Sequence, residues 1–439
     1  MRAKTFFKGG IHIPSYKLTA QVPIQRLKDP KRVVIPLSQH TGKPAKLIVN
    51  KNDLVTEGQM IGEQDGVISA SVHSSINGRV KDIIEHPVPI LPRVQSVVIE
   101  ESPEVQKDSS SVSRKDWRTL NREEILSIIR NSGIVGMGGA AFPTVVKFSP
   151  PQNKKITDLI INGVECEPYL TSDHRIMLEY PDEIIEGVEI VSHLLGVKNI
   201  FIGIENNKKD AISLLSDKVK GKNIAVCALK EKYPQGGEKQ LIFALTGRIV
   251  PSGGLPMDVG CVVSNIGTVL AIKRAVVDGK PLIERVVTVT GSIVKRPGNY
   301  IVKVGTLLTD LLEQIGGLTE EPGKIIFGGP MTGVSVDQTD IPILKATSGV
   351  LFLSRKEALL ADYREFFPCI RCGSCVLACP MSLNPSGLSV LGENERWDEM
   401  KSLDVLDCIE CGCCSYVCPA KRPIVQFVKI AKSKLRRIV

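Results

Sequence analysis

Short apolar runs separated by turn residues fill the first hundred positions of the chain, a pattern typical of strands. Gly, Asn and Asp stand between the runs, and these residues favour tight turns. The predicted strands are 32–36, 45–49, 58–62, 67–72, 79–84 and 95–99. We therefore expect an all-β domain in this part of the chain.

Two segments of this region, 55–62 and 69–80, resemble the two halves of a lipoyl- or biotinyl-type barrel-sandwich. A carrier domain of that type needs a lysine, usually after Met, at an exposed hairpin tip, and no Met-Lys pair stands here. We predict a structural barrel-sandwich hybrid domain over residues 1–105. The polar, serine-rich stretch that follows is interpreted as a linker over residues 106–118.

The pattern then changes to an alternation of helical and β-type stretches. A helix is predicted to begin after Asn121, with Glu124 completing a capping box, and to stop at Gly133. The further predicted strands are 157–161, 200–204 and 223–228, and the predicted helices are 182–195, 208–219, 237–245 and 266–277. Alternation on this scale predicts a Rossmann-like, doubly wound α/β domain with a mainly parallel sheet over residues 119–282.

A smaller unit follows this domain. Residues 285–294 and 298–304 have the pattern of a β-hairpin, and a helix over 307–315 and a strand over 324–329 come after it. Strand, strand, helix and strand in that order suit a β-grasp domain, which we place over residues 283–354. Residues 355–439 then form a helical domain that carries most of the cysteines.

The cysteines of this last domain repeat one pattern, C-x2-C-x2-C-x3-C-P, ending once at Pro380 and once at Pro419. In two-cluster ferredoxins this pattern holds [4Fe–4S] clusters, and the fourth cysteine of each run ligates the other cluster. We therefore predict two ligand sets. The first thiol set is Cys369, Cys372, Cys375 and Cys418, and the second thiol set is Cys379, Cys408, Cys411 and Cys414.

Structural zinc is the alternative for these cysteines, because C-x2-C pairs also suit tetrahedral zinc. Two complete copies with their proline endings favour iron–sulfur clusters. Cys413 breaks the rhythm and is interpreted as a spare thiol. Eight of the twelve cysteines stand in metal-binding spacing, so a disulfide framework is excluded and a reducing compartment is expected.

Composition and charge narrow the function classes. Hydrophobic residues make up 43% and charged residues 23% of the 439 positions, as in a water-soluble globular protein. The sequence has no run of eighteen apolar residues and no signal-peptide pattern, which predicts a cytoplasmic protein. The net charge of +9 is dispersed and comes with no nucleic-acid-binding motif, so no nucleic-acid partner is expected.

Basic residues do concentrate at positions 429–437, where apolar residues interleave with them at helical spacing. Such an amphipathic end suits an anionic membrane surface or a partner protein. A solvated helix that covers the cluster domain is the alternative.

Two stretches of the α/β domain indicate a ligand site. The glycine-rich run from Gly136 through Gly138 and Gly139 matches G-x-G-x-x-A and permits close approach of a ligand to the backbone, although a helix rather than a strand precedes it. Asn162, Glu165 and Glu167 follow a predicted parallel strand, and ligands of α/β folds bind at that edge. Solvated loop acids are the alternative for the two carboxylates.

Several phrases of the sequence, in one order, resemble the RnfC subunits of Rnf electron-transport complexes over essentially the whole chain. That family is similar in turn to the flavin- and NADH-binding subunit of respiratory NADH dehydrogenase. The phrases are GGIH at 9–12, GGAAFPT at 138–144, NGVECEPY at 162–169, YPQGGEKQ at 233–240, PSGGLPMDVG at 251–260 and the two cysteine runs.

The resemblance implies an FMN and NADH site in the α/β domain, a β-grasp domain of the soluble-ligand-binding (SLBB) type and two [4Fe–4S] clusters. By matching motif, Phe142 and Glu238 would meet the nicotinamide nucleotide. Three departures from the respiratory pattern, Met137 for Arg, Val164 for Asp and Gly237 for Glu, affect the expected flavin contacts. Those contacts would be Gly136, Gly138, Lys147, Asn162, Glu165, Glu167, Tyr233, Gly236, Ser264, Asn265 and Thr268.

The expected function is that of a peripheral electron-transfer protein at the cytoplasmic face of the cell inner membrane. It would pass electrons between NAD(H), FMN and the two clusters, and no side chain need act as an acid or base. Its partners would be the other members of the Rnf complex, including a ferredoxin-like iron–sulfur protein, and indirectly ferredoxin. A related cobalamin reductase of bacterial microcompartments and a non-catalytic iron–sulfur scaffold are the alternatives.

Overall fold

The computed structural model describes residues 3–89, 91–105, 116–360 and 366–436. The strands of its first 105 residues are β1 (Ile24–Arg26), β2 (Arg32–Pro36), β3 (Lys46–Leu47), β4 (Leu54–Val55), β5 (Met60–Glu63), β6 (Val72–His73), β7 (Gly78–His86) and β8 (Val94–Glu101). Two small antiparallel sheets, of order β2-β8-β7-β4 and β3-β5-β6, enclose a core of Val, Ile and Leu side chains such as Ile35, Ile61 and Ile99. They form the predicted barrel-sandwich.

The strand predicted over 67–72 is wrong except at its end. Gly66 has a φ of +90°, which turns the chain, and Val67 at the tip is 78% exposed. An apolar side chain at a turn therefore imitated the pattern of a strand.

The first 28 residues belong to no sheet of the barrel-sandwich, although the prediction included them in that domain. Strand β1 pairs in parallel with a strand of the β-grasp domain, with Ile24 opposite Asn299. Before it, Lys4 and Ile11 form isolated bridges to residues of the α/β domain. A Cβ atom at Gly9 would overlap the carbonyl oxygen of Cys379 in the cluster domain, so only glycine permits this approach. This segment joins three domains.

The α/β domain contains eleven helices and strands. They are α1 (Arg122–Asn131), α2 (Thr144–Lys147), β9 (Asp158–Asn162), α3 (Ser172–Glu179), α4 (Pro181–Leu195), β10 (Asn199–Glu205), α5 (Lys209–Lys218), β11 (Ala225–Leu229), α6 (Glu238–Thr246), β12 (Cys261–Asn265) and α7 (Ile266–Asp278). The strands form a parallel sheet of order β11-β10-β9-β12. Helices α1, α4, α5 and α7 pack on one face and α6 on the other, as the doubly wound prediction requires. Helix α3 and strand β12 were not predicted.

The predicted cap of α1 is present. The Asn121 side chain accepts a hydrogen bond from the Glu124 N–H at 3.0 Å, and the Glu124 carboxylate accepts one from the Asn121 N–H at 2.7 Å. The reciprocal pair satisfies two of the N–H groups that a helix start leaves without an intrahelical partner. It also fixes the start of the helix that leads into the glycine-rich run.

The β-grasp domain consists of β13 (Glu284–Thr290), β14 (Gly298–Lys303), α8 (Leu308–Gln314), β15 (Lys324–Phe327), β16 (Val334–Val336) and β17 (Gly349–Leu353). Its mixed sheet has the order β1-β14-β13-β17-β15-β16, and α8 packs on it through Leu308 and Leu311. Strands β16 and β17 extend the predicted strand–strand–helix–strand unit.

The last domain is helical, with α9 (Arg355–Leu360), α10 (Ser374–Ala378), α11 (Pro385–Glu393), α12 (Cys413–Tyr416) and α13 (Ile424–Arg436). Its final helix covers the domain's own core. Val428, Ala431 and Leu435 on α13 are buried against Leu388 and Met400.

The amphipathic end predicted at 429–437 is thus a helix over the cluster domain. Lys432 of α13 forms an ion pair with Glu410 at 2.8 Å. Arg437 of that prediction, like positions 106–115 of the predicted linker, lies outside the described residues. Within the described ranges, no helix is both long and apolar enough to cross a membrane.

Candidate functional site

A cavity of about 220 Å³ lies at the carboxyl ends of β9 and β12. These strands are neighbours in the sheet, and their last residues, Asn162 and Asn265, stand opposite each other. The chain leaves β9 toward β10 on one side and reaches β12 on the other, so strand order reverses between them. A parallel sheet opens a crevice at such a switch point, and this is the place where α/β folds bind ligands.

Half of the fourteen cofactor-binding residues predicted from the sequence line this cavity. They are Gly138, Gly139, Asn162, Glu165, Glu167, Gly236 and Asn265. The other seven lie around it without lining it. They are Gly136, Phe142, Lys147, Tyr233, Glu238, Ser264 and Thr268.

The glycine-rich run is a tight loop whose two ends are pinned together. The Gly136 N–H donates to the Phe142 carbonyl at 2.8 Å. Behind the loop, the buried Thr268 hydroxyl accepts from the Met137 N–H at 2.9 Å, so this side chain positions the loop from α7. Gly139 has a φ of +114°, and a Cβ atom built there would meet no atom within 4 Å. The loop therefore presents open backbone to the cavity.

Lys147 and Glu238 form a pair beside the cavity rather than in its wall. Their side-chain nitrogen and oxygen are 3.2 Å apart, and the Lys147 ammonium also donates to the Val263 carbonyl at 3.0 Å. Both side chains are partly exposed. Ser264 follows Val263 in β12, so these predicted residues gather along one strand end.

Glu165 caps a helix instead of standing free. Its carboxylate accepts from the Asp173 N–H at 2.7 Å and the His174 N–H at 3.3 Å, at the start of α3. The Lys17 ammonium donates to the Glu165 carbonyl at 2.8 Å and holds the same turn from outside. Burial is the main cause that lowers the pKa of Lys17 to about 8.

Asp173 is a cavity residue that the sequence prediction missed. The Asn265 amide donates to its carboxylate at 2.7 Å, which joins the two sides of the switch point. Burial, followed by the nearby charge of Glu165, raises the pKa of Asp173 to about 7. An acidic residue in the first turn of a helix could have indicated Asp173 from the sequence. Helix α3, which begins at Ser172, was itself not predicted, so this indication was missed.

Glu167 links the cavity to a neighbouring domain. Its carboxylate accepts from the Tyr233 hydroxyl at 3.3 Å, from the Met331 N–H at 3.2 Å and from the Thr332 hydroxyl. Burial raises its pKa, against the effect of these donors. Glu167 thus lies between the rest of the α/β domain, which supplies Tyr233, and the β-grasp domain, which supplies the other two donors.

The eight predicted cluster ligands surround two cavities in the last domain. All four members of the first thiol set line one, and all four of the second thiol set line the other, with Cys379 and Cys418 exchanged between the two runs. Cys413 also lines the second cavity. In the described ranges, no group of three or more His, Cys, Asp or Glu side chains is placed to hold a single metal ion. Four thiols around a space fit an iron–sulfur cluster.

Tyr233 connects the second thiol set with the switch-point cavity of the α/β domain. Its hydroxyl donates to Glu167 in the cavity wall, and its carbonyl accepts a weak hydrogen bond from the Cys413 thiol at 3.9 Å. The ring packs in one apolar cluster with Ile11 and Cys411. Burial raises the pKa of Tyr233 well above its usual value, so the hydroxyl remains a donor.

Four family models match the chain in succession. They describe the RnfC barrel sandwich hybrid domain (residues 5–104), the Nuo51 FMN-binding domain (129–274), the SLBB domain (286–335) and a 4Fe-4S dicluster domain (361–419). Their order confirms the predicted fold class and the predicted FMN and iron–sulfur cofactors. It also favours clusters over the zinc alternative.

Curated relatives match nearly the full length of the chain. The C subunit of the proton-translocating ferredoxin:NAD(+) oxidoreductase complex of Clostridium ljungdahlii is 48% identical over 98% of this chain and 94% of its own. The C subunit of the Na(+)-translocating ferredoxin:NAD(+) oxidoreductase complex of Acetobacterium woodii is 44% identical over 98% and 97%. The C subunit of the ion-translocating oxidoreductase complex of Rhodobacter capsulatus is 39% identical over 98% and 83%.

Among solved structures, the chain resembles an NAD+-reducing [NiFe]-hydrogenase in its H2-reduced state. The TM-score is 0.53 at 18% identity, and the match covers 71% of this chain and 61% of that chain. A likeness at this identity shows a shared fold.

Proposed function

The chain belongs to the RnfC family of ion-translocating ferredoxin:NAD+ oxidoreductase complexes, and we propose that it is the subunit through which such a complex exchanges electrons with NAD(H). Its α/β domain would bind FMN and the nicotinamide nucleotide. Its last domain would hold two [4Fe–4S] clusters.

Several features of the cavity at the switch point support FMN as its ligand. Open backbone at Gly138 and Gly139 permits close approach, and the side chains of Asn162, Asn265 and Glu165 offer donors and acceptors for hydroxyl groups. Thr268 keeps the loop in place from behind. In this proposal Gly136 and Ser264 support the site through the backbone, and Phe142, Lys147 and Glu238 stand where the nucleotide would enter.

FMN, when bound, exchanges a hydride with NAD(H) and single electrons with iron–sulfur clusters. The protein's part is to hold these groups near one another and to exclude water. The contacts of Tyr233 with the cavity wall and with Cys411 of the second thiol set carry the proposal, because they make that set the neighbour of the flavin site. The first thiol set, with Cys372 exposed, is then the outer one.

The outer position of the first thiol set makes it the place where a partner protein would exchange electrons. A ferredoxin-like iron–sulfur protein of the complex would exchange electrons there, and ferredoxin would act through it. The chain would be a peripheral subunit at the cytoplasmic face of the membrane, held by protein partners. The apolar face of α13 is packed inside its own domain, which leaves the basic face for any additional contact with anionic lipid.

The test is the cofactor content and activity of protein prepared without oxygen. We expect about eight iron and eight sulfide per chain, binding of added FMN, and NADH-dependent reduction of a one-electron dye. Zinc in place of iron would contradict the cluster assignment. A protein that holds both clusters but binds no flavin would support the alternative of a non-catalytic iron–sulfur scaffold.

A further inference from the structure

The cavity at the switch point has two walls of different chemistry. The α/β wall carries the three carboxyl groups of Glu165, Glu167 and Asp173. The opposite wall comes from the β-grasp domain, and none of its described cavity-lining residues has a charged side chain. It includes Phe327, Thr332, Val334, Leu344, Ala346 and Ser348.

The one lysine within this second wall points away from the cavity. Lys345 stands between Leu344 and Ala346 in sequence, but its ammonium donates to the Ser71 carbonyl at 2.6 Å and the Gly133 carbonyl at 2.8 Å. The wall therefore offers hydroxyl and apolar groups to a ligand. An anionic phosphate is bound by cations or clustered N–H donors, so this wall suits an uncharged part of a ligand.

The loop over residues 328–333, between β15 and β16, is shaped for its place in the wall. A Cβ atom at Gly329 would overlap the Glu167 carboxylate, and one at Gly333 would overlap the Gly329 carbonyl. Gly329 thus allows the loop to lie directly on the α/β domain, and Gly333 allows the loop to fold closely on itself. On its other side, the Met331 carbonyl would be 3.0 Å from a Cβ atom at Gly412, beside the second thiol set.

Glu167 fastens this loop. It accepts from the Met331 N–H at 3.2 Å and from the Thr332 hydroxyl, both across the domain boundary. A buried carboxylate needs such donors, because an unpaired charge in the interior is costly. The family resemblance predicts that Glu167 contacts the flavin. Its observed hydrogen-bond donors, Met331 and Thr332, instead show that it holds the β-grasp loop against the α/β domain, and we call this contact the latch.

We propose that the β-grasp domain forms the uncharged wall of the flavin site, that this wall contacts the ring system of the cofactor, and that Glu167 keeps it closed. The proposal rests on the proposed function, since it takes FMN as the ligand of this cavity. It assigns a binding role to residues of the β-grasp domain, with Ser348 and Thr332 as the ones most open to test.

The decisive variant is Ser348→Phe, which fills the cavity from the β-grasp side. Binding of FMN and of riboflavin, which lacks the phosphate, is measured by flavin fluorescence. We expect both affinities to fall by about ten-fold or more, by similar factors, because the added ring occupies space next to the cofactor ring. Ser335→Phe, at an exposed position of strand β16 in the same domain, is the matched control and should bind both flavins as the parent does.

A second pair tests the latch. Thr332→Val removes the hydroxyl donor to Glu167 at nearly constant shape, and Thr332→Ser retains it. We expect weaker binding of both flavins in the valine variant and recovery in the serine variant, with iron content unchanged in each.

The outcomes distinguish a failure of the proposed function from a failure of the β-grasp wall. A parent protein that binds neither flavin refutes the proposed function. A parent that binds both, together with a Ser348→Phe variant that binds both equally well, refutes the β-grasp wall. Loss of FMN binding alone, with riboflavin unaffected, refutes contact with the ring.

Discussion

Replacing Lys345 by methionine removes a buried ammonium group at the junction of three domains. The group donates to Ser71 in the barrel-sandwich and to Gly133 after α1, while its backbone belongs to the β-grasp domain. Burial lowers the pKa of Lys345 from 10.5 to about 7. The nearby His73, whose pKa burial lowers to about 3, remains neutral above pH 7 and adds no titration there.

The magnitude follows from proton linkage. Between pH 7 and 10.5 the unfolded chain holds a proton that the folded chain has lost, so the stability of the parent rises with pH in this window. One pH unit corresponds to about 1.4 kcal/mol when the difference is one proton. From pH 7 to pH 9 the parent should therefore gain about 2 kcal/mol relative to Lys345→Met, which lacks the group.

The assay is urea unfolding at both pH values, followed by the fluorescence of buried Trp117 in protein kept free of oxygen. The quantity compared is the difference in unfolding free energy between parent and variant, so that other titrating groups cancel. Lys295→Met, at an exposed position of the same domain, controls for the substitution itself and should follow the parent. If the difference between parent and Lys345→Met does not change between pH 7 and pH 9, the account of Lys345 as a buried, deprotonating group is refuted.

Three further predictions concern the cofactors. Cys379→Ser should remove about four of eight irons, and electron paramagnetic resonance should show loss of the cluster bound by the second thiol set; loss of the other cluster would contradict the exchange of ligands between the two runs. Gly138→Val should abolish FMN binding with iron content intact, whereas Gly138→Ala should keep it, because a Cβ atom there would be an ordinary 3.4 Å from the Asn265 Cβ; equal binding by both variants would show that the loop does not meet the cofactor. Asp173 is neutral below its pKa of about 7 and charged above it, so the affinity for anionic FMN should fall as the pH rises through 7. Asp173→Asn should flatten this pH dependence in fluorescence titrations. The same pH dependence in variant and parent would show that Asp173 does not cause it.

Local patterns in the sequence predicted what depends on neighbouring residues. The spacing of the cysteines predicted both thiol sets, because three ligands of each set follow one another within a single turn of chain. The capping box at Asn121 and the alternation of the α/β domain could also be predicted, because they too depend on residues that are close in the sequence. The domain limits remain a prediction; strand β1, which the predicted first domain includes, pairs with a strand of the β-grasp domain.

What escaped prediction depends on contacts between distant positions. Helix α3 and strand β12 are short, and they are stabilised by packing against neighbours far away in the sequence. The latch between Glu167 and Thr332, and the direction of Lys345 away from the cavity, arise where two domains meet. No local pattern in the sequence encodes a contact between domains, so the β-grasp wall of the cavity could be found only in the structure.

The segment around Gly9 has a consequence for the biosynthesis of the protein. It lies against Cys379, and the Gly10 N–H donates to the Ala378 carbonyl at 2.9 Å, yet the ribosome makes this segment several hundred residues before Cys379. Domains generally fold in the order of their synthesis, but the contacts of this segment with the cluster domain cannot form until the first cysteine run has emerged. Gly9 and Gly10, although translated early, are therefore among the last residues to complete their native contacts.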